Sequence, residues 1–100
     1  MKLNKVTYLL ICLIEEAAEV IQRACKAIRF GLDEIQPGQL TTNKKRLDHE
    51  LNDLHGVLTE LYALDVVSGV NSTEVEEKRE KLDQFMNYSR EIGILEQEKQ

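Results

Sequence analysis

Leu47-Asp48-His49-Glu50-Leu51-Asn52-Asp53-Leu54 opens the stretch that decides the fold. Continued through Leu58 and Leu61, its leucines recur at spacings of 4, 3, 4 and 3. That is one face of an α-helix, not the alternation of a strand. On a wheel at about 100° per residue, Glu50 falls about 60° from the centre of this leucine stripe and Asp53 about 120°. A carboxylate therefore stands within or beside the face that has to pack. An ionised carboxylate there is costly unless it is paired or bound to a cation.

Working outward, this helix starts near Thr42 or Asn43, both good N-caps. Its pattern fades at Val66 to Val70, where Ser68, Gly69, Asn71 and Ser72 mark a loop. Upstream, Pro37-Gly38 is a strong turn signal, within a loop from about Gly31 to Thr42. Before that loop a first helix runs from about Asn4 to Phe30, with Gly31 as the glycine that follows its last turn. Downstream, Thr73 and Glu76 fit a capping box, and a third helix is expected from about Glu74 to Glu91. Its apolar residues are sparse: Val75, Leu82, Phe85 and Met86. Gly93 interrupts it, and the polar tail from about 94, including Glu96 to Gln100, is expected to fray. With no strand pattern, repeat or low-complexity segment, the fold class is all-α, in a single domain spanning residues 1–100.

A chain of 100 residues with 5% aromatics and no Trp has few large side chains for a core, and a chain this short buries only roughly 60–65% of its unfolded surface. Self-association is expected on that ground. The net charge of −5 argues against a nucleic-acid partner, but suits a site in which carboxylates hold a cation and the cation meets phosphates. Cys12 and Cys25, on one helix, lie about 20 Å apart along its axis, beyond disulfide reach, so both are read as reduced cysteines of a cytoplasmic protein. The apolar run Tyr8 to Ile14 is too short to cross a bilayer and is followed by no cleavage site. No membrane partner is expected.

The residues that can carry chemistry are Glu15, Glu16, Glu19, Glu50 and Asp53. Glu16 and Glu19 are three apart, hence neighbours on one helix face, and so are Glu50 and Asp53. Glu16 borders the first helix's apolar face (Val6, Leu10, Leu13, Ala17, Val20, Ala24); Glu19 lies further round and Glu15 further still. Two such pairs on antiparallel helices bring four carboxylates together. Like charges so placed call for a cation, and an all-oxygen ligand set suits Mg²⁺ or Mn²⁺ rather than zinc or copper. The ordinary alternative is a solvated charged face.

Glu15-Glu16-Ala17-Ala18-Glu19 followed by Glu50-Leu51-Asn52-Asp53 resembles the EExxE…ExxD signature of the all-α nucleoside triphosphate pyrophosphohydrolases. That superfamily includes MazG, dimeric dUTPases, dCTP pyrophosphatases and phosphoribosyl-ATP pyrophosphohydrolase. Leu13 to Gln22 and Leu47 to Leu54 look like its two motif helices, and Ala24 to Ile35 looks like the MazG-like proteins common in bacteriophages. The resemblance covers roughly residues 9 to 65. The gap between the motif halves is somewhat long for the family because of the Pro37 loop, which bears on specificity more than on chemistry.

The resemblance implies that Glu16, Glu19, Glu50 and Asp53 bind Mg²⁺, with Mn²⁺ as a substitute, while Glu15 orients a ligand or water or faces solvent. It implies water attack at the α-phosphorus of a nucleoside or deoxynucleoside triphosphate, giving the monophosphate and pyrophosphate. Basic residues on the helix after the ExxD helix often contact phosphates in the family, which singles out Lys78 and Lys81 for substrate binding. Asn87 and Tyr88 are candidates for touching base or sugar. The bland alternative is that Lys78 and Lys81 pair with Glu74 and Glu77 one turn away. His49 and His55 are read as surface residues, and Gln22 and Arg23 as either supporting the ligands or covering helix surface. A homodimer or homotetramer with a four-helix-type core is expected. The alternatives are a non-catalytic helical oligomerisation or regulatory protein of the same fold, and phosphoribosyl-ATP hydrolysis, ranked lower because the Phe30–Leu40 loop is more MazG-like.

Overall fold

The computed structural model describes residues 1–98, and these form three helices, α1 (Lys5–Phe30), α2 (Asn43–Ala63) and α3 (Ser72–Glu91), with no strand. Backbone contacts divide the chain into two units, Met1–Gly69 and one that begins at Val70. Lys99 and Gln100, the end of the expected frayed tail, lie outside the described residues. Among the described residues no helix is long and apolar enough to cross a membrane.

In the first unit α1 packs on α2. Asn4 caps α1, its Oδ1 accepting from the Thr7 N–H at 2.8 Å. Gly31 ends the helix at φ 97°, a left-handed value that L side chains rarely adopt. Thr42 caps α2, its Oγ1 accepting from the Lys45 N–H at 3.1 Å. Between them the loop is clasped to the start of α2. Asn43 donates through Nδ2 to the Gly31 carbonyl at 2.8 Å and to Glu34 Oε1 at 3.3 Å. Its own N–H donates to the Glu34 carbonyl at 2.9 Å, and Lys44 N–H to the Leu32 carbonyl at 2.9 Å. Arg46 adds a bond to Gln36 Oε1 at 2.9 Å. Asn43 is thus both the first helical residue of α2 and the buried fastener of the loop. Asn43 meets Gly31, while Glu50 meets Glu16. Partners recede along α1 as they advance along α2, so the pair is an antiparallel hairpin.

The buried face of α2 is rotated from the leucine stripe. Leu61 and Asn43 are fully shielded, Leu47, Leu54, Val57 and Leu58 half-buried, and Leu51 exposed. The wheel centre therefore lies near Leu61 and Leu54, with Leu51 about 75° off. This correction brings Glu50 to within about 25° of the centre and Asp53 to about 85°. Glu50 is a more central residue than the leucine spacing alone indicates.

Helix α2 stops at Ala63, short of the expected fading at Val66 to Val70. Val66 N–H reaches the Leu61 carbonyl and Asp65 N–H the Tyr62 carbonyl, both at 3.0 Å. This is the Schellman pattern, with Asp65 at φ 56° in the place glycine usually takes. In the second unit α3 begins two residues earlier than expected. Asn71, not Thr73, is the cap, its Oδ1 accepting from the Glu74 N–H at 3.0 Å. Its end uses the same Schellman pattern with Gly93 at φ 81°. In the tail up to Glu98, Arg90 donates to the Glu96 carbonyl at 3.2 Å and pairs with Glu98 at 3.2 Å.

The core of the first unit is thin. Its fully buried residues are Ala27, Asn43 and Leu61. Ile14, Ile21 and Ile28, seven apart on α1, are 68%, 65% and 84% exposed. On the wheel they form a second apolar stripe, about 100° from the side that meets α2 and on the flank away from Glu19.

Candidate metal centre

The spacing of three within each motif puts Glu16 and Glu19 on one turn of α1, and Glu50 and Asp53 on one turn of α2. Antiparallel packing brings the two turns together. One carboxylate oxygen from each of Glu16, Glu50 and Asp53 lies within 4.8 Å of the others. Glu16 and Glu50 are half-buried and Asp53 exposed, so the cluster sits at the edge of the helix–helix seam.

The electrostatics follow from that placement. Burial, then the charges of Glu19 and Asp53, hold the Glu16 carboxyl above its ordinary value of 4.5, helped by proton sharing with Glu19 and by the charge of Glu15. For Glu50 the largest cause is a proton shared with the Glu19 carboxyl, followed by burial and the charges of Glu19, Asp53 and Glu16. Glu19, itself exposed, is therefore close enough to act on both half-buried carboxyls. Glu15 is exposed and reaches the cluster through its charge on Glu16.

Glu16 Oε2 and Glu50 Oε2 are shielded from solvent and have no hydrogen-bond partner. A shielded acceptor left without a donor is unfavourable, more so when it is charged. A divalent cation is one partner that would answer both oxygens at once. Two oxygens on opposite sides of one Mg²⁺ stand about 4.2 Å apart, so a small side-chain adjustment lets three of these carboxylates share an ion. The donor set is all oxygen, and His49 and His55 are exposed on α2, as expected of surface residues. The residues fit a hard divalent cation.

An apolar groove of about 390 Å³, lined by Ala24, Ala27, Ile28, Leu32 and Leu47, opens where the end of α1 meets the start of α2. Of the residues singled out for substrate, Lys78, Lys81, Asn87 and Tyr88 are all exposed on α3, in the second unit. Within that helix Arg79 pairs with Glu76 at 2.7 Å. Among the described residues neither Lys78 nor Lys81 pairs with an acid, and Asn87 accepts from Arg90 at 3.1 Å. Cys12 is half-buried and Cys25 exposed, both as free thiols.

Two residues matter more here than their sequence context suggests. Asn43 looks like a cap and is the loop's buried fastener. Arg23 looks like helix surface, yet its Nη1 is shielded and unpartnered; the available signal is its spacing of seven from Glu16, which puts both on one face. Comparison with family models, characterised proteins and solved structures finds no match to this chain.

Proposed function

We propose that this protein is a Mg²⁺-dependent pyrophosphohydrolase of nucleoside or deoxynucleoside triphosphates, similar to the MazG-like enzymes. The observation that carries the reading is the meeting of Glu16, Glu50 and Asp53 within 4.8 Å, with two of their oxygens shielded and unpartnered. The EExxE and ExxD spacing supplies the fourth carboxylate, Glu19.

In this reading Glu16, Glu19, Glu50 and Asp53 hold the cation. When bound, it neutralises triphosphate charge and lowers the pKa of an attacking water. The protein's part is to fix four carboxylates on two rigid helices, so that the acceptor geometry exists before substrate arrives. Glu15, exposed one residue before Glu16, orients the water or takes its proton. The water oxygen bonds to the α-phosphorus, the bond from that phosphorus to the α,β-bridging oxygen breaks, and pyrophosphate leaves with that oxygen. Triphosphate and water become monophosphate and pyrophosphate, with no nucleophile from the chain.

A second copy of the chain is part of the proposal. Within the first unit, the stripe of Ile14, Ile21 and Ile28 and the adjoining apolar groove leave apolar surface on α1 that α2 does not cover. A seven-residue repeat is the spacing that packs helix against helix, and a homodimer or homotetramer covers it.

The test is product analysis by ³¹P NMR across the common ribo- and deoxyribonucleoside triphosphates, with Mg²⁺ and with EDTA. Monophosphate and pyrophosphate, formed only with Mg²⁺, are expected. Orthophosphate and nucleoside diphosphate as products would overturn the reaction class. No product from a folded, Mg²⁺-binding protein would favour the non-catalytic helical assembly.

A further inference from the structure

We propose that Arg23 is the phosphate-binding cation of the carboxylate site; this rests on the pyrophosphohydrolase reading and names a contact that reading leaves open. Arg23 follows Glu16 by seven residues and Glu19 by four on α1. At about 100° per residue it stands about 20° round the helix from Glu16 and about 40° from Glu19. Its backbone lies about 6 Å along the axis beyond Glu19, and helical side chains lean toward the helix N-terminus. Helix geometry thus puts Arg23 on the carboxylate side of α1, one turn beyond Glu19. Glutamate four residues before arginine is a favourable pairing, yet Arg23 pairs with neither Glu19 nor any other acid among the described residues. Its Nη1 is shielded and has no acceptor.

Three charged-group atoms are thus shielded and unpartnered in the α1–α2 unit: Oε2 of Glu16, Oε2 of Glu50 and Nη1 of Arg23. A divalent cation answers the two oxygens. An anion answers the nitrogen, and an anion that also binds the cation answers all three. A polyphosphate does this, because its oxygens ligate a metal and accept from a guanidinium fork at once. The other arginines of the unit are engaged elsewhere. Arg46 donates to Gln36 at 2.9 Å, and the Arg29 guanidinium lies over the Phe30 ring, 4.9 Å from its centroid.

Calorimetric titrations of Mg²⁺, and then of inorganic tripolyphosphate in excess Mg²⁺, test this on the full chain and on Arg23→Met and Arg23→Lys. Methionine keeps the apolar stem, and circular dichroism checks that the helices persist. The expected result is that all three proteins retain Mg²⁺ binding. Tripolyphosphate affinity should fall on the order of tenfold to a hundredfold in Arg23→Met, with part of the loss restored in Arg23→Lys, which keeps the charge but not the fork. Equal tripolyphosphate affinity in folded Arg23→Met overturns the assignment and leaves the metal reading intact. If Arg23→Met does not fold, Arg23→Lys decides, and wild-type affinity in that variant overturns the fork contact. If the wild type takes up no Mg²⁺, the pyrophosphohydrolase reading falls. The tripolyphosphate titration in EDTA then decides Arg23: equal affinity of wild type and variant overturns it, and Arg23-dependent uptake sustains it as an anion site.

Discussion

At the loop end of the α1–α2 hairpin, Asn43 is buried and its Nδ2 donates to Gly31 and Glu34, with Arg46 reaching Gln36 beside it, while its own Oδ1 is shielded and unpartnered. Further along the same hairpin, Glu16, Glu50 and Asp53 crowd together with like charge and two shielded oxygens unmet. The first cluster joins donors to acceptors across the loop and so contributes to folding. The second contains acceptors only, and folding without a cation brings them together against their repulsion. Under the proposed function, this second cluster is held for a cation. The difference separates a polar cluster that joins donors to acceptors from one that gathers like charges.

Substitutions can break this contrast, and the largest effect is expected at its centre. Glu50→Gln removes a charge from the middle of the packing face. Pyrophosphate release should fall by more than the roughly 100-fold that loss of an outer partner of a metal site can cost. Circular dichroism should show the helices retained. The metal-free variant should also melt above the metal-free wild type, since one repelling charge is gone. A variant that lost activity together with stability would make Glu50 a structural residue like Asn43.

Asn43→Ala is the opposite case. It removes the loop's fastener and should cost about 1–3 kcal/mol in urea unfolding, with Mg²⁺ binding unchanged once folded. A loss of Mg²⁺ affinity matching that of Glu50→Gln would erase the distinction between the two clusters.

The pH dependence sharpens it. Glu16 and Glu50 titrate above their ordinary value of 4.5 in the folded chain. Between that value and the raised ones the folded state holds more protons than the unfolded chain. Their stabilising contribution is therefore complete below about 4.5 and is lost as the pH rises through the raised values. In EDTA, the stability advantage of Glu50→Gln over the wild type should be small near pH 4.5 and grow toward neutrality. An advantage independent of pH would show that repulsion is not its source.

The smallest effect concerns the two Schellman ends. Asp65 holds at φ 56° the position that Gly93 holds at φ 81°. Asp65→Gly should raise the stability of the chain by at most about 1 kcal/mol, read from the urea midpoint. Destabilisation instead would mean that the Asp65 side chain contributes more than its backbone strain costs.

These residues also show what the sequence made legible. The three helices were readable because leucine spacing, Asn4, Thr42, Gly31 and Gly93 are strong local signals. The stop after Ala63 was not, because an aspartate replaces the usual glycine and the apolar residues Leu64, Val66, Val67 and Val70 resemble continuing helix. The start of α3 was misplaced because Asn71 and Thr73 are both competent caps, and only the backbone shows which one accepts a bond. At the site, the spacing of three named Glu16, Glu19, Glu50 and Asp53 correctly as neighbours on their helices. It placed Glu50 too far from the packing face, because Leu51 was counted as core and is exposed. The bonds of Asn43 to Gly31 and Glu34 and the shielding of Arg23 Nη1 arise from packing, which spacing along one helix does not report.

The measurement that bears most directly on the central claim is the melting temperature of wild type and Glu50→Gln, each with EDTA and with millimolar Mg²⁺. A cation bound only by the folded state stabilises it by about 2.7 kcal/mol at 100 times its dissociation constant. Mg²⁺ should therefore raise the melting temperature of the wild type and leave Glu50→Gln nearly unmoved. Equal shifts in the two proteins, or none in the wild type, would contradict the claim that this carboxylate cluster is a cation site.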